Sequence, residues 1–265
     1  MTRRKTRLPI LPTYARPLVF AHRGVSTRTP ENTIAAFELA VREGVPGVEL
    51  DVHRTADGKV VVTHDDSTGR VADRDCVVAE TSAAELRTLD FGAKFGGGFE
   101  GQRIPFLDEV FETLGPTTYL DIEMKCRSRV PTGLQQQVAE TIARHGAQHR
   151  CIVSSFNPYA LRSFRTVNTD VPIAVIYSSH DGVPPVLRHG AGRFIVGTDA
   201  LKPHHPRVGR LYRFVLGTIE GYPFLPWTID DRDEALRVLA HGAEGVITND
   251  PRAILTETEV RWNPA

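Results

Sequence analysis

The stretch Ala21-His22-Arg23-Gly24 stands at the end of a short apolar run, Pro17-Leu18-Val19-Phe20. A continuous apolar run of this length predicts a strand that is buried on both faces, as in a parallel sheet. Charged side chains that directly follow such a strand lie at the edge of the sheet where α/β folds place their active sites. We therefore take this strand end as the point around which the rest of the chain is organised.

A second strand end carries further charged groups. Glu49 and Asp51 share one face of a strand, because side chains alternate along a strand with a period of two. The pair Asp57-Gly58 then predicts a tight turn, and so short a turn can join only antiparallel strands. Residues 59–64 are therefore expected to fold back as a hairpin arm, which brings His64 near the two carboxylates.

Beyond residue 116 the chain alternates regularly between strand and helix patterns, which predicts a (β/α)8 TIM barrel of the α/β class. We expect a tail at 1–16 and a single barrel domain at 17–265, with a small insertion at about 66–116 after the hairpin arm. The predicted core strands are 18–21, 48–52, 119–125, 151–154, 173–176, 194–196, 224–228 and 245–248. The predicted helices are 31–43, 134–145, 158–166, 183–189 and 231–241, with a helix-like stretch at 82–86 and a helix at 107–114 inside the insertion. Segment 206–218 precedes the seventh strand.

The bulk composition restricts the class of protein. The chain has 265 residues, of which 41% are hydrophobic and 24% charged, and its formal net charge is zero. These values fit one globular barrel and argue against broad electrostatic binding to nucleic acid or to an anionic membrane. The three cysteines have no ligand spacing, the basic start lacks a signal-peptide core, and no run reaches the roughly 20 apolar residues of a spanning helix. A cytoplasmic protein without stable membrane insertion is the expectation.

Three carboxylates, Glu49, Asp51 and Glu123, are predicted to converge at the mouth of the barrel from two strands. Such a cluster would repel itself, and a bound cation resolves the repulsion. Carboxylate oxygens suit a hard divalent cation better than zinc. The sequence therefore predicts one divalent cation as cofactor, and both Mg²⁺ and Ca²⁺ fit the pattern.

Basic and titratable groups occupy the neighbouring strand ends. Arg23 and Lys125 stand where a phosphate would bridge protein and cation. His22 and His64 suit proton transfer, in which one ring takes a proton from the attacking group and the other gives one to the leaving alcohol. Trp227 closes the set, although a lone tryptophan is more often a core residue. Each piece alone has an ordinary structural explanation, but all of them fall at predicted strand ends.

These elements together resemble the glycerophosphodiester phosphodiesterase family. The resemblance runs from about residue 18 to residue 254 and follows the order of the family. It is carried by His22-Arg23-Gly24, Pro30-Glu31-Asn32-Thr33, Glu49-Leu50-Asp51-Val52, Asp57-Gly58, His64-Asp65, Ile104-Pro105-Phe106-Leu107 with Glu109-Val110, Glu123-Met124-Lys125, Ser154-Ser155-Phe156, Trp227-Thr228 and Gly245-Val246-Ile247-Thr248-Asn249-Asp250-Pro251.

The resemblance implies an enzyme that hydrolyses small glycerophosphodiesters to sn-glycerol 3-phosphate and an alcohol within a barrel of this kind. The roles it implies are an acid/base pair, three metal ligands, two phosphate contacts and a wall for the glycerol. In that order these are His22 and His64; Glu49, Asp51 and Glu123; Arg23 and Lys125; and Trp227. The histidine that acts as acid, and the choice between direct water attack and a cyclic phosphate intermediate, stay open at this level.

The sequence departs from the family in two regions. After His64-Asp65 it reads Asp66-Ser67-Thr68-Gly69-Arg70 instead of an apolar residue followed by an arginine-threonine run. Residues 178–222 match poorly, so the alcohol that the enzyme prefers stays open. The alternatives are a sphingomyelinase-D-like or lysophospholipase-D activity on lipid phosphodiesters, and a sensor barrel that binds glycerophosphodiesters without catalysis.

Overall fold

The computed structural model describes residues 7–11, 17–180 and 183–254. The strands are β1 Leu18–His22, β2 Gly47–Arg54, β3 Val60–Val62, β4 Tyr119–Met124, β5 Cys151–Ser155, β6 Ile173–Tyr177, β7 Ala200–Pro203 and β8 Gly245–Thr248. Parallel strands in the order β7-β6-β5-β4-β2-β1-β8 form a curled sheet, and β3 pairs with β2 in the antiparallel sense. The helices are α1 Ile34–Arg42, α2 Ala83–Leu86, α3 Leu107–Leu114, α4 Leu134–Arg144, α5 Pro158–Val167, α6 Gly192–Val196, α7 Arg210–Tyr212, which continues as a π-helix over Arg213–Ile219, α8 Arg232–Ala240 and α9 Pro251–Ile254.

An irregular segment closes the sheet into a barrel between β7 and β8. Leu225 donates its backbone N–H to the carbonyl of Leu201 at 2.9 Å on one side, and Ile247 donates to the carbonyl of Pro226 at 3.1 Å on the other. The prolines at 223 and 226 have no N–H to donate, so the ladder is reduced to isolated bridges. The seventh predicted strand is therefore in place as a barrel wall, and the (β/α)8 prediction is confirmed.

The sixth predicted strand, at 194–196, is wrong. Those residues belong to α6, and the strand is β7, six residues further along. The run Phe194-Ile195-Val196 has the composition of a buried strand, yet the side chain of Phe194 is 74% exposed. The true strand reads Ala-Leu-Lys-Pro, and its lysine and proline hide it from a hydropathy pattern. The helix expected at 183–189 is likewise reduced to a single 3-10 turn, Pro185–Leu187.

Strand alternation divides the core into two parts. Val48, Leu50 and Val52 of β2 point outward into the main cluster between sheet and helices, while Glu49 and Asp51 point into the barrel. The floor of the barrel interior is a second apolar cluster, which includes Phe20, Tyr119, Ile152, Leu225 and Ile247. A layered interior of this kind leaves polar groups only toward the mouth.

The bottom of the barrel is sealed by the described part of the N-terminal segment. Ile10 and Leu11 are buried in the interior cluster, and the backbone N–H of Leu8 donates to Asp199 at 2.9 Å. Gly47 makes room for the floor, because a Cβ at that position would lie 2.6 Å from the ring of Phe20. The remaining residues of the predicted tail, 1–6 and 12–16, lie outside the described part.

The predicted hairpin arm is confirmed, since Val62 of β3 is the antiparallel partner of Val52 of β2. Residues 66–116, the predicted insertion, contribute most of a small apolar cluster, in which Ala72, Val78, Leu86, Leu89, Phe91 and Ile104 pack with Val61 of β3. Helix α3 packs into the main cluster. The division of the chain into tail, barrel and insertion stays a prediction. Within the described ranges, no helix is long and apolar enough to cross a membrane.

Candidate active site

The three predicted carboxylates meet at the upper end of the barrel interior. Glu49 and Asp51 come from β2, and Asp51 stands in register with Glu123 of the neighbouring β4. One oxygen from each carboxylate lies within 4.8 Å of the others, and all three residues are buried. The parallel register of β2 and β4 brings the carboxyl ends of the two strands to one edge of the sheet, and the predicted carboxylates therefore lie together.

The two basic side chains that were predicted as phosphate contacts, Arg23 and Lys125, lie directly against this cluster. Lys125 Nζ lies 2.6 Å from Glu123 and 3.0 Å from Asp51, while Arg23 Nε lies 3.3 Å from Asp51. Burial alone would raise the pKa of Asp51, but Lys125 and Arg23 overcome this and hold the pKa well below its usual range. Asp51 is therefore the permanently ionised centre of the mouth.

Glu49 has the opposite environment. Its Oε2 atom is buried without a hydrogen-bond partner among the described residues, and it lies 3.8 Å from Nε2 of His22, too far for a hydrogen bond. Burial, followed by repulsion from Asp51, raises the pKa of Glu49 well above its usual value. An orphaned buried oxygen beside two other carboxylates fits a hard cation, which would give that oxygen a partner.

A buried ion pair forms the layer beneath the cluster. Lys202 Nζ lies 2.7 Å from Asp121 and 3.0 Å from Oγ of Ser154, and its side chain is 2% exposed. Desolvation would lower the pKa of Lys202, yet Asp121 and Glu49 raise it above its usual value, so the ammonium stays charged. Sequence reasoning missed this lysine because it missed the strand that carries it.

His22 enters the site from the end of β1. Its Nδ1 lies 2.7 Å from Oδ1 of Asn249, so Nδ1 is assigned as the donor and Nε2 faces Glu49. Burial, together with the charge of Arg23, lowers the pKa of His22 to about 4. The imidazole is therefore neutral around pH 7. Asn249 directly follows the last barrel strand and belongs to the motif at 245–251, but no role was predicted for it from the sequence.

His64 is held from the other side of the mouth by a chain of charges. Its Nδ1 lies 2.6 Å from Asp65, whose other oxygen accepts from Arg70 at 2.5 Å. Arg70 in turn donates to both oxygens of Glu31 at 2.7 and 2.8 Å, and Arg23 donates to Glu31 at 3.0 Å. Arg70 therefore links Asp65, the partner of His64, to Glu31, the partner of Arg23. It lies in the stretch where the sequence departs from the family pattern that it otherwise resembles.

The loop after β1 is built in a strained conformation that serves this geometry. Arg23 and Asn32 have φ of 59° and 57°, a left-handed region that costs free energy for residues other than glycine. Arg23 accepts the backbone N–H of Asn32 at 2.9 Å, and Asn32 donates its side-chain amide to Asp51 at 2.9 Å. Gly24 follows at φ 79°, where a Cβ would lie 2.5 Å from Ala36.

Trp227 stands in the irregular wall segment. Its Nε1 donates to the carbonyl of Lys202 at 2.9 Å, and its ring lies 5.6 Å from Phe156, edge to face, and 5.5 Å from His204. His53 of β2 contacts the carbonyl of His64 through Nε2 at 3.1 Å. His205, one of four histidines in the poorly matching region 178–222, pairs through Nδ1 with Glu234 at 2.5 Å.

A cavity of about 860 Å³ opens beside the mouth. Its inner end is lined by His64, Glu123 and Lys125, and it extends past Phe156 toward Leu187. The structure thus brings together six of the predicted residues at the mouth: His22, Arg23, Glu49, Asp51, Glu123 and Lys125. His64 lines the same cavity as Glu123 and Lys125, whereas the contacts of Trp227 are to Phe156, His204 and the carbonyl of Lys202.

Residues 22–253 match the Glycerophosphoryl diester phosphodiesterase family. The chain is 36% identical over 240 residues to a glycerophosphodiester phosphodiesterase of Caldanaerobacter subterraneus subsp. tengcongensis, covering 90% of this chain and 96% of the relative. It is 28% identical over 250 residues to a glycerophosphodiester phosphodiesterase of Bacillus altitudinis, covering 92% and 99%. A phosphodiesterase of Oleispira antarctica, solved in complex with the product sn-glycerol-3-phosphate, superposes with a TM-score of 0.77 at 29% identity, covering 90% of this chain and 95% of that one.

Proposed function

The chain belongs to the glycerophosphoryl diester phosphodiesterase family, and on that premise we propose that His22 and His64 perform acid/base hydrolysis at a cation held by Glu49, Asp51 and Glu123. The reaction of this enzyme is the hydrolysis of a glycerophosphodiester to sn-glycerol 3-phosphate and an alcohol. The observation that carries the proposal is the orphaned Glu49 oxygen inside the three-carboxylate cluster, next to a neutral histidine.

The donor set favours Mg²⁺ or Ca²⁺, because all three groups that would hold the cation offer carboxylate oxygens. A divalent cation bound there would polarise the phosphoryl oxygens and stabilise the charge that develops on them. The side chains of Arg23 and Lys125 would contact the phosphate and set its orientation. Trp227 would form an apolar wall for the glycerol.

The two histidines have environments that suit different roles. His22 is neutral at neutral pH, so it begins a cycle by accepting a proton at Nε2 and serves as the general base. His64 is paired with Asp65, a carboxylate whose pKa Arg70 and His64 lower against the opposing effect of burial. This partner fixes the orientation of the ring through Nδ1, and an imidazole held by a carboxylate suits a general acid for the leaving alcohol.

The first test is release of sn-glycerol 3-phosphate from glycerophosphocholine with Mg²⁺, with Ca²⁺ and with EDTA. Cation-dependent release is expected, and His22→Ala and His64→Ala should each lose on the order of 10²–10⁴ in kcat. His149→Ala, an exposed histidine that follows α4, is the matched control. Wild-type turnover in both folded site variants would overturn the assignment.

A change of leaving group separates acid from base. A p-nitrophenyl ester of glycerol phosphate needs no proton on its leaving group, so His64→Ala should recover most of its activity on this substrate. His22→Ala should stay impaired, since a proton must still be taken from the attacking group. Recovery of the His22 variant alone would exchange the two roles.

We also propose a cytoplasmic setting. All three cysteines are free thiols, and one of them, Cys151, is buried. Free thiols in a stable barrel favour a reducing compartment. The absence of nucleic-acid partners and of stable membrane insertion stays a prediction from the balanced charge.

A further inference from the structure

One ring nitrogen of His22 is held by a hydrogen-bond network that extends away from the barrel mouth. Its Nδ1 lies 2.7 Å from Oδ1 of Asn249, and the hydroxyl of Ser26 donates to the same oxygen at 3.1 Å. Asn249 directly follows β8, and its side-chain amide donates from Nδ2 to Oδ2 of Asp230 at 2.7 Å. Asp230 is therefore connected to His22 through the amide of Asn249.

Asp230 binds the end of β8 at three points. Its Oδ1 accepts the backbone N–H of Asn249 at 2.7 Å and the hydroxyl of Thr248 at 3.0 Å, while its Oδ2 accepts the side-chain amide of Asn249. An ionised carboxylate offers only acceptors, so the NH₂ group of that amide faces Asp230. The amide oxygen consequently faces the opposite way, toward Ser26 and His22.

The orientation of this amide decides which nitrogen of His22 carries the hydrogen. An amide oxygen can only accept, so at 2.7 Å it requires a hydrogen on Nδ1. The neutral ring then has its lone pair on Nε2, the nitrogen that faces Glu49. An amide turned by half a rotation would present its NH₂ group to Nδ1. The hydrogen would then move to Nε2, where a general base needs the lone pair.

We propose that Asp230 is a positioning residue that sets the tautomer of His22 through the amide of Asn249. The proposal rests on the proposed function, in which His22 accepts a proton at Nε2. The role requires Asp230 neither to exchange a proton nor to touch the substrate. On the usual scale for the partners that orient a functional imidazole, disrupting them costs roughly 10–100-fold in activity.

The tautomer can be measured without activity and without a cation. Long-range ¹H–¹⁵N correlation spectra distinguish a protonated from a bare ring nitrogen, and comparison with His22→Gln identifies the signals of His22 among the ten histidines. The wild type in EDTA should carry the hydrogen on Nδ1. Asp230→Asn should shift it toward Nε2, because an amide at position 230 also offers donors and no longer fixes Asn249. An unchanged tautomer in this variant would refute the proposal whether or not the protein cleaves the diester.

Steady-state kinetics with glycerophosphocholine measure the consequence for catalysis. Asp230→Asn should lower kcat by roughly 10–100-fold with KM little changed. The p-nitrophenyl ester should show the same loss, because taking a proton from the attacking group does not depend on the leaving group. Asp233→Asn, the same change at an exposed position in the first turn of α8, is the matched control. A loss confined to KM, or one that disappears with the p-nitrophenyl ester, would overturn the proposal. If the wild type cleaves neither substrate, the proposed function fails, and the tautomer measurement still decides the role of Asp230.

An exchange of the two side chains separates positioning from a general loss of stability. Asn249→Asp alone sets a second carboxylate against Asp230, where the amide now lies at 2.7 Å, and should lose activity. When Asp230→Asn is added, the amide at position 230 donates to the carboxylate at position 249, which still accepts from Nδ1 of His22. The double variant should therefore recover most of the lost kcat and the hydrogen on Nδ1. A double variant that is folded by circular dichroism and shows no recovery would contradict the proposal. If it does not fold, the two measurements on Asp230→Asn decide alone.

Discussion

Replacing Glu49 with glutamine is expected to stabilise the cation-free protein and to remove its response to divalent cations. In the folded chain the pKa of Glu49 is raised well above its ordinary value of 4.5, because the carboxyl is buried and faces Asp51. The stability that a raised carboxyl pKa contributes is complete below the unfolded value and is lost as the pH rises toward the folded value. The advantage of glutamine should therefore grow from about pH 5 to pH 8.

The size of the effect follows from the spacing of the charges. Carboxylate oxygens of Glu49, Asp51 and Glu123 lie within 4.8 Å of one another. Two unit charges at that separation repel by about 3.5 kcal/mol at an effective dielectric constant near 20. Lys202 offsets part of this repulsion at Glu49, so we expect a gain of about 2 kcal/mol at pH 8. For a chain of this size, that gain corresponds to a rise in Tm of roughly 4–8 °C.

Thermal unfolding in EDTA and in Mg²⁺ or Ca²⁺ measures both halves of this prediction. A cation at 100 times its Kd should stabilise the wild type by about 2.7 kcal/mol, whereas Glu49→Gln should gain much less. The order of stability of the two proteins should therefore reverse between the two buffers. Glu38→Gln on the exposed face of α1 is the control and should change neither value. A variant that is less stable in EDTA and responds to cations like the wild type would refute the reasoning.

Three further predictions concern the residues around this cluster. The pKa of His22 is lowered to about 4. The stability that the neutral ring contributes is therefore complete above the unfolded pKa of 6.5, and on the order of 3 kcal/mol of it is lost as the pH falls toward 4. Denaturant titrations in EDTA should show this loss in the wild type but not in His22→Gln, and an equal loss in both proteins would contradict the prediction. Lys202→Met leaves Asp121 buried without its counter-charge and should cost about 3–5 kcal/mol of unfolding free energy by urea titration. Adding Asp121→Asn should recover part of that loss, and no recovery in the double variant would argue against the pair. Arg70→Lys keeps the positive charge but loses the branched guanidinium that joins Asp65 to Glu31. Steady-state kinetics should therefore show kcat lower by on the order of tenfold with KM little changed. A change in KM alone would place Arg70 in substrate binding instead.

Much of the architecture could be predicted from the sequence, because the alternation of side chains along a strand and the burial of a strand both leave a pattern in neighbouring residues. Strands β2 and β4 each alternate residues for two different environments, so their charged positions could be assigned to the barrel interior without coordinates. The hairpin arm followed from the chemistry of a two-residue turn alone. Where a strand end was correctly placed, as for β1, β2 and β4, the charged side chains expected there lie together at the mouth.

Lys202 shows where this reasoning ends. A lysine in a four-residue strand is buried only because Asp121 and Ser154 on two other strands satisfy it. No local sequence pattern contains that information. The apolar run that begins at the exposed Phe194 was instead taken for the sixth strand. The role of Arg70 was not predicted for a related reason. Its partner Glu31 lies 39 residues away, and the two side chains meet only in the folded protein.

The charges of the barrel interior explain why one cation would complete it. The interior holds four carboxylates and three positively charged side chains. The carboxylates are Glu49, Asp51, Asp121 and Glu123, and the positive side chains are Arg23, Lys125 and Lys202. Among these described residues one negative charge is left over, and it falls on the Glu49 carboxyl, whose raised pKa lets a proton neutralise it. A divalent cation that displaces that proton would turn the interior from neutral to singly positive. A phosphodiester carries one negative charge, so the same exchange that gives Glu49 a partner would also create the attraction that holds the substrate against Arg23 and Lys125.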